Sequence, residues 1–514
     1  MSHATERIPV VVGVGDVVSG SAGKSADPVE PLDLVLRAVE AAIADTGVST
    51  LTAHIDAIHA VRTTSWNYED LPALVADRLG VEASRRSTSS IGGHHPARLM
   101  DQVGHDIAEG LTTAALVIGS ETQASVRALT KSATNPADIG WLTAPGGPPT
   151  FSPDDLGSAE MQRAAILAPV QIYPLFDTAR AHRLGVRPTE SLRASAGLYS
   201  RFSSVAARHP VAWSPVERTP DSISTVDSTN RAVSDCYPLA MNAMPFVDQA
   251  AAVLVCSLAA ARDAGVPDDR IVYLWGGAGA SDTPDLLARS TFDHSPALRE
   301  AVRTTLSAAG VTGADLTVVD AYSCFPVVPM LLIDELGLSP DSTPTVLGGH
   351  SFFGGPLSSY SLHAVAESTR LLRTARGSGS PALAMVHANG GYLTHQHTIL
   401  LSTTAHEDGY IGNPDAVALS TDPVSVVHGY DGPAVIETAT VMFGRDGAPD
   451  QALIVARTPA GERVAGHAGA DVAAALHAAT TEFDTSVVGL GIDVIDHDGT
   501  LTLTMNRTDK NAAL

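Results

Sequence analysis

Cysteine is scarce, at positions 236, 256 and 324 only, and lysine equally so, at 24, 131 and 510. Three scattered thiols build neither a disulfide framework nor a zinc knuckle, so no metal site is expected and a reducing compartment suits the chain. No apolar stretch approaches the roughly 20 residues of a membrane helix, which excludes membrane insertion. Met1 to Arg7 shows no basic segment followed by an apolar run, the mark of a secretory signal, and the expected location is the cytoplasm. Basic residues are also outweighed: 32 Lys and Arg face 56 Asp and Glu, a net charge of −24. Such a surface repels nucleic acid, and an anionic small molecule would have to be met by local arginines.

With 514 residues, 44% of them hydrophobic, the chain exceeds one core and should divide into several domains. Strand and helix patterns alternate to about residue 404. Ile8 to Val14 is a β-branched run, Pro31 to Thr46 places Leu32, Leu36, Val39 and Ile43 on one helical face, and Ile55 to Val61 reads as a strand. A similar unit returns at Pro296 to Ala309, closed by Gly310-Val311 and followed by Leu316 to Asp320. The spacing suggests two similar halves built around parallel sheets, although two ordinary βαβ units would produce it as well. Between them, residues 122–246 contain the irregular Thr143 to Thr150 and helical patterns near Leu175 to Leu184 and Thr189 to Phe202, a composition that fits a cap or loop domain. After 404, β-rich runs at Ala434 to Phe443, Ala452 to Arg457, Val487 to Ile495 and Leu501 to Met505, with Asp446-Gly447 and Asp498-Gly499 turns, predict an antiparallel barrel. Ala470 to Ala479 reads as a helix within it. The expected divisions are 1–121, 122–246, 247–404 and 405–514. The barrel lacks a basic stripe, so a structural or lid role fits it better than nucleic-acid binding.

Three motifs follow one another in the second half: Tyr322-Ser-Cys-Phe325, Leu347-Gly-Gly-His-Ser-Phe-Phe-Gly-Gly-Pro-Leu357 and Ala388-Asn-Gly-Gly391. In the first half, Ser87 to Ala97 precedes a helical pattern over Pro96 to Glu109, and Ala114-Ala-Leu-Val-Ile-Gly-Ser-Glu121 follows. Together they resemble the thiolase superfamily, in its sterol-carrier-protein-2 branch. The added barrel and the altered motifs are similar to thiolase-like protein type 1. The resemblance implies the thiolase fold, two similar halves layered αβαβα with an inserted loop domain, here with a C-terminal β-barrel of the oligonucleotide-binding type. It also implies a coenzyme A thioester as substrate or ligand, with no other cofactor.

The same resemblance assigns candidate site residues. Ser90 aligns on the nucleophilic cysteine and Gly355 on the histidine of the Gly-His-Pro motif. A serine hydroxyl, unlike a thiol at a helix N-terminus, needs an adjacent base, which His94 or His95 could supply; otherwise Ser90 is a capping serine. Glycine offers no titrating group and no side-chain donor. Cys324 matches a cysteine linked to proton transfer, or is a small core residue. Tyr322 matches a tyrosine of thiolase-like aldolases, or is a core aromatic. Gly354, Pro356, Asn389, Gly390, Gly391 and His350 are expected to form the substrate pocket. His395 and His397 could approach it, but two histidines without a third ligand are a weak metal signal. Three functions follow: an acyl-CoA-binding protein without ordinary thiolase activity; an acyltransferase or retro-aldol enzyme on CoA thioesters of lipid or sterol side chains, using Tyr322, Cys324 or Ser90; and a non-catalytic partner-binding protein. Monomer and homodimer both remain open.

Overall fold

A computed structural model describes residues 6–23, 27–150, 157–376, 381–420 and 422–505; Lys24 and Lys510 lie outside them. Ten strands form one mixed sheet. Along it run β3 (Arg85–Thr88), β2 (Ile55–Ala60), β4 (Ala114–Thr122), β5 (Asp248–Ser257), β1 (Pro9–Val18), β6 (Val272–Ser281), β9 (His395–Ser402), β8 (Leu383–Gly390) and β7 (Val318–Asp320), and β10 (Asn413–Ala418) pairs with β6 off this path. The sheet nearly divides at β1 and β6, which share only the pairs Val10↔Tyr273 and Val11↔Val272.

Five layers result. The Pro31–Asp45 helix packs on one face of β1, β4 and β5, and the Pro296–Ala308 helix packs on β6 and β9. Between the two half-sheets lie two central helices, His95–Ala108 and Tyr360–Ala375, each touching strands of both halves and each other. Strand alternation feeds the two sides of the first half-sheet: Val10, Val12, Leu116 and Leu254 pack with the outer helix, while Val11, Val14, Val117 and Val253 face the central layer. Cys256 belongs to the outer core.

The two halves are not purely parallel sheets, as the sequence pattern suggested. Parallel pairing is confined to β2–β3, β2–β4, β7–β8 and β6–β10. β8 and β9 are joined by only residues 391–394, too few for a crossover, and therefore run antiparallel.

The segment between β4 and β5 carries the helices Pro169–Arg183 and Pro188–Ala206, both longer than their sequence patterns. The C-terminal strands β11 (Asp431–Phe443), β12 (Pro449–Arg457), β13 (Arg463–Ala468), β14 (Gly491–His497) and β15 (Thr500–Met505) close in the order β11-β12-β13-β15-β14, with the Ala470–Thr481 helix between β13 and β14. This is a five-stranded barrel of the oligonucleotide-binding type. The Asp498-Gly499 turn links β14 to β15 with φ of 51° and 84°, the left-handed pair of a tight hairpin. β13 escaped the sequence reading because Arg-Val-Ala-Gly-His-Ala has low strand propensity; Gly466 is there because a Cβ would overlap the Gly499 carbonyl. Among the described residues, no helix is long and apolar enough to cross a membrane.

A buried arginine of the barrel, paired with a barrel glutamate, fastens the barrel to the second half. The fully buried Arg463 guanidinium donates to both Glu437 oxygens at 2.7 and 2.6 Å, to the Leu287 carbonyl at 2.8 Å, and to the Arg289 carbonyl. Glu437→Ala leaves this cation without a counter-charge and is expected to cost about 3–5 kcal/mol, read as a lower urea midpoint for barrel unfolding.

Acid stability should report on the second central helix. Its Arg370 donates to Asp16 of β1 at 2.5 Å, and its His363 lies 3.5 Å from the same carboxylate. Burial alone would raise the Asp16 pKa, but His363 and Arg370 outweigh it and hold it at about 2, below its ordinary 3.8. The pair's contribution is therefore present above pH 3.8 and lost as pH falls toward 2, and it amounts to about 2 kcal/mol. Asp16→Asn should remove this part of the acid limb in denaturant melts taken between pH 5 and 2.

Candidate functional site

A cavity of about 310 Å³ opens where the mouth of the first central helix, the ends of β7 and β8, the 347–357 loop and the Pro169–Arg183 helix meet. Tyr322, Cys324, His350, Gly355, Asn389 and Gly391 all line it. Among the described residues the lining holds no Lys, Arg, Asp or Glu, and Pro169, Val170, Ala243, Pro245, Phe325 and Leu357 give it an apolar wall.

The loop brings His350 and Gly355 to one place. Gly354 turns the chain at φ 119°, a value few side chains adopt, and a Cβ on Gly355 would stand 3.6 Å from that of His350. His350 is 2% exposed, its ring stacks on Tyr360 at 3.6 Å and lies 4.3 Å from Tyr322, and neither ring nitrogen has a hydrogen-bond partner. Burial pushes its pKa well below the usual 6.5, leaving a neutral imidazole. Burial likewise raises the Tyr322 phenol and pushes the Cys324 thiol up to about 12, the latter opposed by the neighbouring Tyr173 hydroxyl. At neutral pH the cavity therefore presents uncharged donors.

One chain of hydrogen bonds fixes the opposite wall, and its direction is set by the groups that can only donate. The Tyr322 N–H donates to His387 Nδ1 at 3.3 Å, so His387 donates through Nε2 to Gln396 Oε1 at 2.7 Å. Gln396 Nε2 donates to Asn389 Oδ1 at 2.7 Å, Asn389 Nδ2 to the Tyr173 hydroxyl at 3.0 Å, and that hydroxyl to the Gly391 carbonyl at 2.9 Å. Burial lowers His387 to about 4, so this histidine too is neutral. Tyr173 and the His387–Gln396 pair are absent from the sequence-derived set; Tyr173 reaches the cavity, and the pair backs its wall, through tertiary packing that no local motif marks.

The remaining sequence-derived residues lie outside the lining. Ser90 is exposed, with Oγ 2.8 Å from His95 Nε2, and burial followed by the Arg98 charge lowers His95 to about 4, a weak base. The residue that faces the cavity from the mouth of the helix is Gly93, three positions on. A Cβ there would overlap the Tyr322 hydroxyl and come within 2.5 Å of the Asn389 carbonyl oxygen. Its signal in the sequence is its place two residues before the helix begins. Gly354 and Pro356 shape the loop from outside the lining, and Gly390 backs onto His94, whose ring would overlap any Cβ placed there. His397 is tied to Asp101 at 2.8 Å, and His395 stacks on His94 at 4.8 Å. Among the described residues no group of three His, Cys, Asp or Glu side chains could hold a metal.

Comparison with known proteins agrees with this architecture. Residues 414–500 match the thiolase-like protein type 1 additional C-terminal domain. The structure of a monomeric SCP2-thiolase-like protein type 1 from Mycobacterium smegmatis superposes with a TM-score of 0.79 at 29% identity, covering 97% of this chain and 99% of that one. Acetyl-CoA acetyltransferases from Methanocaldococcus jannaschii and Methanothermobacter thermautotrophicus are 30% identical over 97 residues and 28% over 152. These matches cover 19% and 29% of this chain and span 24% and 36% of the relatives' own lengths. In its layers and its additional C-terminal domain alike, the chain is a thiolase-fold protein that resembles thiolase-like protein type 1 over nearly its whole length.

Proposed function

We propose that this protein binds an acyl thioester, of coenzyme A or a related carrier, in the 310 Å³ cavity and does not perform ordinary thiolase acyl transfer. The observation that carries the reading is Gly93. An attacking side chain at the helix mouth would have the helix N-terminus to stabilise its anion, yet that position has no side chain and the Tyr322 hydroxyl fills the space beside it. Ser90 offers no substitute, being outside the lining and paired with a weak base.

The neutral lining suits a carbonyl better than an ion. A thioester oxygen can accept from a neutral imidazole N–H of His350 or from the Tyr322 hydroxyl, while the acyl chain lies against Val170, Ala243 and Leu357. Phosphates have no cationic partner in this lining, so in this reading the nucleotide part of the carrier stays outside it.

A second reading is carbon-carbon bond chemistry. It is favoured by His350, whose unpartnered nitrogens stand in the same cavity as Cys324, a neutral thiol able to give up or return a proton. Turnover of a β-keto or β-hydroxy acyl thioester that disappears in Cys324→Ala and Tyr322→Phe would select it.

Calorimetric titration with coenzyme A, acetyl-CoA and a medium-chain acyl-CoA tests the leading reading. Saturable binding of a thioester is expected, weakened about 5- to 10-fold by His350→Leu, the loss of roughly one hydrogen bond. Acetoacetyl-CoA with coenzyme A should yield no acetyl-CoA. Failure of every thioester to bind, or thiolysis by the wild-type protein, contradicts it.

A further inference from the structure

A second cleft, of about 70 Å³, lies between the loop domain and the barrel, where the Pro169–Arg183 and Pro188–Ala206 helices meet the end of the Ala470–Thr481 helix. Asp177 and Asp235 both line it, and no lysine or arginine does. Asp235 is used by the barrel: its Oδ1 accepts from the Thr440 hydroxyl at 2.7 Å and from the Val441 N–H at 3.2 Å. Asp177 is 3% exposed; its Oδ2 accepts from Ser191 at 3.2 Å, while Oδ1 has no hydrogen-bond partner. The buried Tyr237 hydroxyl lies beside this carboxylate and helps to hold its charge. Arg180, on the same helix, is engaged with Asp334 through two bonds of 2.9 Å.

We propose that this cleft is a binding site for a small organic ammonium ion, held by Asp177 and Asp235 and sheathed by Val186, Leu192 and Val487. The sign follows from two carboxyl groups facing one space without a cationic side chain in its walls. Burial raises Asp177 to about 6 against the opposing pull of Arg180, Ser191 and Tyr237, so at pH 7 it is mostly ionised. An organic rather than a metallic cation follows from the apolar walls, and from the absence, among the described residues, of any three His, Cys, Asp or Glu side chains placed to hold a metal, Cys236 of this lining included. Size limits the rest: the cleft is roughly half the 150 Å³ that holds a benzene ring, room for a primary amine of two or three carbons. Three ammonium N–H donors can reach Asp177 Oδ1, the Asp235 carboxylate and a wall hydroxyl such as Thr178, while the alkyl end meets Leu192 and Val487. The exposed Thr481 at the rim marks the entry.

The test uses the full chain and calorimetry at pH 7.5 and constant ionic strength, with n-propylammonium as probe and n-propanol, tetramethylammonium and sodium chloride as comparisons. Saturable binding of propylammonium alone is expected, weakened at least about 5-fold in Asp177→Asn and abolished by Ala181→Leu, which fills the cleft. Circular dichroism checks that each variant is folded. Equal responses to propylammonium, propanol and salt in the wild-type protein, a comparison that needs no variant, would overturn the proposal. So would undiminished binding in both folded variants.

Discussion

Asp101 is the point on which the arrangement of the two halves depends. It sits on the first central helix with no exposed surface, and its Oδ1 accepts from the Gly277 N–H of β6 at 3.0 Å and from the Tyr410 hydroxyl at 2.7 Å. Its Oδ2 faces His397 of β9 at 2.8 Å. A buried carboxylate is tolerable only when such partners surround it, and these all come from the other half of the molecule. The contact fixes how the first helix lies across the second half-sheet, and so presses Gly93 against Asn389 and Tyr322. The second central helix is tied in the opposite sense, through His363 and Arg370 to Asp16 of β1. Each central helix thus carries a charged or ionisable group that is answered by a strand of the opposite half.

That geometry decides what the cavity can do. A helix mouth pressed this closely on a strand end leaves no room for a Cβ at Gly93, and the Tyr322 hydroxyl takes the adjacent space. What remains is a pocket of neutral donors in an apolar surround, held by the hydrogen-bond chain that runs from Tyr322 to Gly391. Such a pocket is preorganised to hold a carbonyl and is poor in charged nucleophiles, which is why binding without thiolase transfer is the function proposed for it.

Much of the scaffold was legible in the sequence, and the reason is local. The Pro31 and Pro296 helices begin with proline in the first turn, β1 and β4 open on the apolar runs Pro9 to Val12 and Ala114 to Ile118, and Asp498-Gly499 has the chemistry of a tight turn, so pattern and propensity agree there. The site was only half legible. Cys324, Tyr322 and Asn389 were found because they sit in motifs, whereas Ser90 was placed by matching glycines, and the helix begins late enough that Gly93 takes the cavity position. His350 is five residues from Gly355 in the chain, yet the turn at Gly354 returns both to one wall, a distance that sequence spacing does not encode. Tyr173 and His387 were missed because their roles exist only after the loop domain and β9 have docked.

The central claim, that an acyl thioester lies in this cavity with its carbonyl beside His350, is tested most directly by a crystal structure soaked with a non-hydrolysable ketone analogue of an acyl-CoA, in which a methylene replaces the thioester sulfur and the carbonyl is kept. The account predicts the carbonyl oxygen within hydrogen-bond reach of His350 or Tyr322, the acyl chain along Val170 and Leu357, and the nucleotide outside the lining. An empty cavity at saturating analogue, or the acyl group bound elsewhere on the protein, would contradict it.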